Sequence, residues 1–321
     1  MKAVVTMKYG SPEMLQLREV DKPVPDDNQV LVKVHAASLN KGNIVMLRGE
    51  PVLARPFIGL TKPKHPIPGG DMAGIVEAVG KNIKDFQVGD EVFGDLSASG
   101  WGSYAEYVVA PEKALVKKPR NLSFEEAASV PMAAVTALQG LKKGNIKQGE
   151  RVLIYGASGG VGTFAVQIAK AYGAEVTAFC SEQKKETVES LGADHVYDYK
   201  KEDLTNHTAR YDLIIGVNGY QPISVYKRAL SQAGRYVMIG GSTEKLYESM
   251  FLGAWHSLFG KKKMTNLLQR ANKEDLEEIR KLLEREKLNP VIDRVFPLND
   301  IQNAFRYMEE GHAKGKVVIT I

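Results

Sequence analysis

The chain has 321 residues, more than one hydrophobic core usually serves, so two domains are expected. Hydrophobic residues make up 44% and charged residues 25%, and no stretch approaches the roughly 18–20 apolar residues of a membrane span. The net charge of +5 is spread over 43 basic and 38 acidic residues, which argues against a dedicated nucleic-acid surface, and the single Cys180 excludes a disulfide framework or a cysteine-rich zinc lobe.

The first residues, MKAVVTMKYG, lack the long apolar run of a secretory leader, so a cytoplasmic protein with no membrane partner is expected. From the start to residue 121, short β-branched runs alternate with Gly, Pro, Asp and Asn. Val30–Val34, Gly74–Gly80, Asp90–Gly94 and Tyr104–Val109 read as strands, and the frequent turn chemistry between them predicts a compact β-rich barrel. The character changes near Asn121. Ser123 precedes Glu126 by three residues, a helix-start box, and an Ala-rich segment follows.

From there strands and helices alternate. Arg151–Tyr155, Glu175–Cys180, His195–Tyr197, Leu213–Val217 and Arg235–Ile239 read as strands. Val161–Tyr172, Gln183–Leu191 and Ser224–Ser231 read as helices, so a parallel sheet covered on both faces is predicted. Glu274–Glu286 is a charged helix, and Lys316–Ile321 is a β-run resembling the first part of the chain. The expected fold class is therefore α/β, with residues 1–121 and 272–321 forming one domain and 122–271 the other.

The most specific local motif is Gly156-Ala157-Ser158-Gly159-Gly160-Val161-Gly162, which follows the strand Val152-Leu153-Ile154. It opens a helix with apolar residues at Val161, Ala165, Ile168, Ala169 and Tyr172, ended by Gly173. Ala157, Gly159 and Gly162 stand at the three positions of a dinucleotide fingerprint. The first serves the tight turn, the second close approach to a pyrophosphate, and the third helix-on-strand packing. Free amides and the helix dipole favour the anion. A glycine-rich turn without a ligand is the competing reading.

An NAD-preferring domain places an acidic residue about 20 positions on, to hold the ribose 2′-hydroxyl. Nineteen residues past Gly162 stands Ser181, followed by Lys184 and Lys185. A hydroxyl and an ammonium suit a 2′-phosphate better than a bare diol, so NADPH is the expected cofactor. Glu182 complicates this, since one residue of slippage would restore an acidic partner. Both lysines would otherwise belong to a solvated helical turn.

Read together, VLVKVHAASLNKGN, PIPGGDMAGIVEAVG, VGDEVFG, GASGGVG, ESLGADHVYDY and GKVVITI resemble the quinone oxidoreductase branch of the medium-chain dehydrogenase/reductase superfamily. The likeness spans essentially the whole chain. It implies a GroES-like barrel plus a Rossmann domain, with the cofactor in the cleft between them. Zinc-dependent members hold their catalytic metal with a Cys, a His and a Cys, whose positions correspond to Asn40, Gly70 and Met132. None of these supplies the thiolate, imidazole or carboxylate that zinc prefers. His35 and His65 lack partners at ligand spacing. Without that Lewis acid an alkoxide is poorly stabilised, whereas a quinone or an α,β-unsaturated carbonyl is already electrophilic, and such acceptors are the substrates of the zinc-free branch.

The resemblance also implies roles for single residues. Asn40 lies near the nicotinamide ribose and substrate and is the one candidate catalytic residue, acting by orientation; a turn residue after a strand is the alternative. Thr136 lies beside the cofactor, or is an ordinary helix hydroxyl. Ser158, Gly160 and Val161 complete the phosphate cradle, while Ser181, Lys184 and Tyr199 surround the adenosine phosphate. Val217, Gly240 and Gly241 are strand ends that meet the nicotinamide, and Lys316 is a C-terminal phosphate contact. Many relatives carry Asn-Pro-x-Asp where this chain has Asn40-Lys41-Gly42-Asn43, so any proton-relay role of that aspartate cannot be transferred. Asp71, where zinc enzymes have a glutamate near the metal, reads as structural. Pro51–Pro68 either covers the substrate site or is a surface loop, and Lys262–Leu268 falls where relatives pair sheets into homodimers. Three other readings stay open: an NADPH-binding regulatory protein acting through a partner or RNA, an alcohol dehydrogenase-type reductase of aldehydes and ketones, and a reductase of acyl-thioester enones with a phosphate-binding basic site near Lys62 and Lys64.

Overall fold

The computed structural model describes residues 1–208, 210–218, 221–241, 261–311 and 313–321. In chain order, β1 (Lys2–Val5), β2 (Gln16–Glu19) and β3 (Gln29–Leu39) lead to α1 (Lys41–Arg48) and the short α2 (Arg55–Ile58). Then come β4 (Asp71–Val79), β5 (Glu91–Asp95), β6 (Tyr107–Pro111), β7 (Leu115–Lys117), α3 (Phe124–Ala128) and α4 (Pro131–Lys143). The alternating stretch follows as β8 (Arg151–Tyr155), α5 (Gly160–Ala171), β9 (Glu175–Cys180), α6 (Lys185–Ser190), β10 (His195–Asp198), β11 (Tyr211–Gly216), α7 (Ile223–Ala229), β12 (Leu230–Met238) and β13 (Lys263–Asn266). α8 (Lys273–Glu284), β14 (Ile292–Pro297), α9 (Ile301–Glu309) and β15 (Lys316–Thr320) close the chain.

These elements form two compact units. One contains Met1–Ala133, Arg270–Arg285 and Pro290–Ile321; the other contains Ala134–Gln269 and Glu286–Asn289. The first division falls after residue 121 because α3 packs on β3, β4 and β15. Its Ser123 Oγ accepts from the Glu126 amide at 3.1 Å, and the Glu126 carboxylate accepts from the Ser123 amide at 2.8 Å. Glu286–Asn289 joins the second unit through Gln167, whose amide pairs with both backbone groups of Asn289 at 3.0 and 2.7 Å.

In the first unit seven strands share a sheet, ordered β14-β15-β3-β4-β5-β7, with β6 on β3. β3 carries most of the architecture, pairing β4 throughout, β6 over its first half and β15 over its second. Even-numbered Val30, Val32 and Val34 enter one apolar cluster with Met72, Val92 and Leu115, whereas odd-numbered Ala37 and Leu39 enter another with Phe305 and Val317. The side-chain period of a strand is two, so this change of parity requires an irregularity, and the β3–β4 register shifts between Val34 and Ala36.

The second unit is a six-stranded sheet, ordered β10-β9-β8-β11-β12-β13 and parallel throughout. Numbered within the unit, that order is 3-2-1-4-5-6, the doubly wound arrangement whose switch point lies between β8 and β11. α5 buries Phe164, Ala165, Val166, Ile168 and Ala169, and stops where Gly173 adopts a φ of 77°. Two expected helices are shorter than their apolar patterns suggest. Glu182–Lys184 forms a 3₁₀ turn before α6, and α7 yields to β12 at Leu230, whose side chain is wholly buried.

Candidate active site

The cradle is built at the C-terminal end of β8. Gly156 adopts a φ of 90°, and its amide and that of Ala157 donate to Phe179 O at 3.0 and 3.1 Å. The tight turn therefore falls on Gly156, one residue before the position expected from the motif, and Ala157 is a buried packing residue. The other two glycines differ sharply. A Cβ on Gly162 would lie 2.2 Å from Gly156 O and 2.7 Å from the Ala157 carbonyl, so helix and strand meet there without room for a side chain. A Cβ on Gly159 would find only Gly156 O, at 4.0 Å, so the space above it is open. α5 begins at Gly160 with no side-chain cap, which leaves its first amides aimed into that space. These are the properties a pyrophosphate requires.

Parallel register gathers the remaining second-unit candidates. Asp198 pairs with Cys180, so Ser181 and Tyr199 follow at adjacent strand ends, and the Tyr199 amide donates to Cys180 O at 3.1 Å. Lys184 closes the turn from Ser181, donating its amide to Ser181 O at 2.9 Å. Glu182 pairs with Lys201 at 3.1 Å, both side chains being more than half exposed. The acidic residue that complicated the cofactor reading thus has a cation of its own. Val217 donates its amide to Tyr155 O at 3.0 Å, beyond the end of β11. A Cβ on Gly240 would stand 2.3 Å from Val217 O, which brings the ends of β11 and β12 together, with Gly241 next. Thr136 is buried in α4.

Cys180 is buried beside this edge, and burial pushes its thiol up to about 11. The folded state therefore favours the neutral thiol. Its contribution to stability is full below the ordinary thiol range near 9 and is lost as pH rises toward 11. Thiol titration should find the native protein inert at pH 8 and reactive once urea unfolds it, and Cys180→Ala should flatten the alkaline loss of stability.

The first unit holds a buried polar cluster. Asp71, fully buried at the start of β4, accepts through Oδ2 from Asn40 Nδ2 at 2.7 Å, Ser38 Oγ at 3.0 Å and Lys316 Nζ at 3.4 Å. Its Oδ1 accepts from the Met132 amide at 2.9 Å. Lys316 Nζ also donates to Asn40 Oδ1 at 2.6 Å and to Leu39 O at 3.1 Å. Burial pushes the Lys316 ammonium below the usual lysine range, and Asp71 opposes that shift. Tyr104, also fully buried, donates its hydroxyl to Ser38 O at 3.1 Å.

Two of the expected site residues meet here. Lys316, expected at a phosphate, is 3% exposed, and its ammonium donates to three acceptors of this cluster. Asn40, at the N-terminus of α1, has its side-chain amide between Lys316 and Asp71, and the Asn43 side chain accepts from its backbone amide at 2.7 Å. Ser38, Tyr104 and the Met132 amide were not singled out from sequence. The signal that could have found them is register: Ser38 lies opposite Asp71 on β4 and Val318 on β15, so the residue before Val317 falls opposite Asn40.

Asn40, Gly70 and Met132, at the zinc-ligand positions, offer an amide, no side chain and a thioether. A Cβ on Gly70 would touch Met132, Trp101 and Asp95 at 3.3–3.5 Å. Among the described residues no three His, Cys, Asp or Glu side chains converge on a common point. His35 stacks on Phe124 at 4.4 Å and serves packing. The donor set does not fit zinc.

A doubly wound sheet with a phosphate cradle, and a β-rich unit with a buried Asn–Asp–Lys cluster, define a dinucleotide-binding oxidoreductase. The family profile described as alcohol dehydrogenase GroES-like domain matches residues 26–120, and that described as zinc-binding dehydrogenase matches 191–319. The chain is 35% identical over 320 residues to the chloroplast envelope quinone oxidoreductase homolog of Arabidopsis thaliana, covering 97% of this chain and 95% of that protein. It is 34% identical to the chloroplastic NADPH-dependent alkenal/one oxidoreductase of the same plant, covering 99% and 79%. The solved quinone oxidoreductase of Coxiella burnetii superposes with a TM-score of 0.89 at 32% identity, covering 100% of this chain and 99% of the other. The chain belongs to the quinone oxidoreductase branch of the medium-chain dehydrogenase/reductase superfamily.

Proposed function

We propose that the protein is a zinc-independent, NADPH-dependent reductase of quinones or α,β-unsaturated carbonyls. The observation that carries the cofactor half is the open cradle at Gly159 with Ser181 and Lys184 at the next strand end. When bound, the nicotinamide supplies the hydride. The amides at the start of α5 hold the pyrophosphate, and Ser181, Lys184 and Tyr199 hold the adenosine phosphate. Val217, Gly240 and Gly241 border the nicotinamide end, and Thr136 contributes from α4. Asn40 uses one amide hydrogen on Asp71 and keeps a second, with which it orients substrate or ribose. The acceptor class follows from the donor set at Asn40, Gly70 and Met132, which cannot polarise an alcohol oxygen as zinc does, and from the names of the relatives. A homodimer joined through β13 belongs to the same reading, since β13 is the last strand of its sheet among the described residues.

The cofactor preference is testable at Ser181. A carboxylate there would favour the ribose diol and repel the phosphate. Ser181→Asp should lower kcat/KM for NADPH by about 10- to 100-fold, the value of a lost hydrogen bond to a charged group, while raising that for NADH. An unchanged ratio would remove Ser181 from the phosphate site. Tight NADPH binding with negligible turnover on a panel of quinones and enones would favour the regulatory reading.

A further inference from the structure

The segment between α1 and β4 exposes several large apolar side chains. Val52 is 64% exposed, Leu53 70%, Phe57 82% and Leu60 71%. A 3₁₀ turn at Val52–Ala54 runs directly into α2, so Val52, Leu53, Pro56 and Phe57 recur at the spacing of one helical face. Ala54, Arg55 and Ile58, on the other side, are half-buried. The stripe is held in place. Tyr9 donates its hydroxyl to Gly59 O at 2.5 Å, Arg55 Nε donates to Gly49 O at 3.1 Å, and the Lys64 amide donates to Ile58 O at 2.7 Å. Contiguous apolar side chains fixed outward in this way mark an interaction surface.

Charge identifies what it meets. No acidic residue stands between Glu50 and Asp71, whereas Arg55, Lys62 and Lys64 do. Lys62 and Lys64 are exposed and make no ion pair among the described residues. A second copy of this chain would bring the same cations against each other across a two-fold interface. An apolar stripe fringed by lysines is instead the pattern of a segment lying in a lipid headgroup layer.

We propose that the Pro51–Pro68 segment docks the protein on an anionic lipid surface, with Val52, Leu53, Phe57 and Leu60 at the acyl boundary and Lys62 and Lys64 among the headgroups. No helix among the described residues is long and apolar enough to cross a membrane, and surface docking needs none. The absence of a membrane partner expected from sequence rested on the lack of a span and of a leader, neither of which surface docking requires. Docking adds to the proposed reaction without resting on it, because lipid binding is measured with no substrate present.

The test is flotation of the full chain with vesicles of equal phosphatidylcholine and phosphatidylglycerol, against vesicles of phosphatidylcholine alone. The protein should partition to the mixed vesicles and be released by salt. L53S/F57S should weaken partitioning by about tenfold or more, and K62E/K64E by at least about tenfold. All four side chains are exposed or project from a loop, and an unchanged melting temperature verifies the fold. The proposal is overturned if the protein ignores the mixed vesicles, or if L53S/F57S binds them as the parent does. It is equally overturned if L53S/F57S retains vesicle binding but loses turnover of a water-soluble quinone, which would assign the stripe to the substrate, or if it converts a dimer to monomers while neither form binds lipid.

Discussion

Asp71→Ala is expected to destabilise the β-rich unit by about 3–5 kcal/mol, the cost of leaving a buried charge without its partner. The carboxylate is fully buried and satisfies four donors: Ser38, Asn40, Lys316 and the Met132 amide. Removing it strands the Lys316 ammonium with two neutral acceptors, Leu39 O and Asn40 Oδ1. Lys316→Met should cost less, because the carboxylate it leaves behind keeps three hydrogen-bond donors of its own. Two units need not unfold together, so scanning calorimetry is the suitable measurement: the transition of one unit should move and the other stay. Equal losses in the two variants, or a shift below about 1 kcal/mol for Asp71→Ala, would contradict the role given to the pair. Asn40→Ala should lower both turnover and stability, since its amide bridges Asp71 and Lys316 and its second amide hydrogen is the one proposed to orient substrate or ribose.

The second large effect separates two glycines of the same cradle. Gly162→Ala forces a Cβ to within 2.2 Å of Gly156 O and 2.7 Å of Ala157 O, and both are backbone atoms that cannot swing aside. The turn must distort, and overpacking of this kind costs about 1–3 kcal/mol. Both the melting temperature and NADPH binding should fall. Gly159→Ala meets nothing nearer than 4.0 Å and has an ordinary φ of −85°, so the fold should be undisturbed. Its methyl group would stand where the pyrophosphate must approach, and NADPH affinity should fall about 10- to 100-fold through lost charge-assisted hydrogen bonds. Isothermal titration alongside thermal melting distinguishes them. If Gly159→Ala binds NADPH normally, the phosphate does not lie over that glycine.

What the sequence made legible was the part encoded locally. The alternation of strands and helices, the capping box at Ser123 and the fingerprint following β8 each depend on residues within a few positions of one another. Even there, one detail escaped: the left-handed turn residue is Gly156, with its amide and that of Ala157 both donating to Phe179 O. The first-unit cluster was much less legible. Asn40 and Lys316 were named for other roles and Asp71 was read as structural. Their meeting depends on strand register across a sequence separation of 276. The antiparallel register of β3 and β15 is what brings Lys316 to Asn40. Likewise, the pairing of Glu182 with Lys201 depends on a residue brought beside it only after β10.

The most direct test of the central reading is a single kinetic panel. Quinones, enones, aldehydes and alcohols are offered with NADPH or NADH, or their oxidised forms for the alcohols, before and after treatment with a strong chelator. NADPH oxidation by a quinone or an enone should proceed at the same rate in both preparations, with alcohols inert. Activity abolished by the chelator, with alcohol oxidation restored by added zinc, would contradict it.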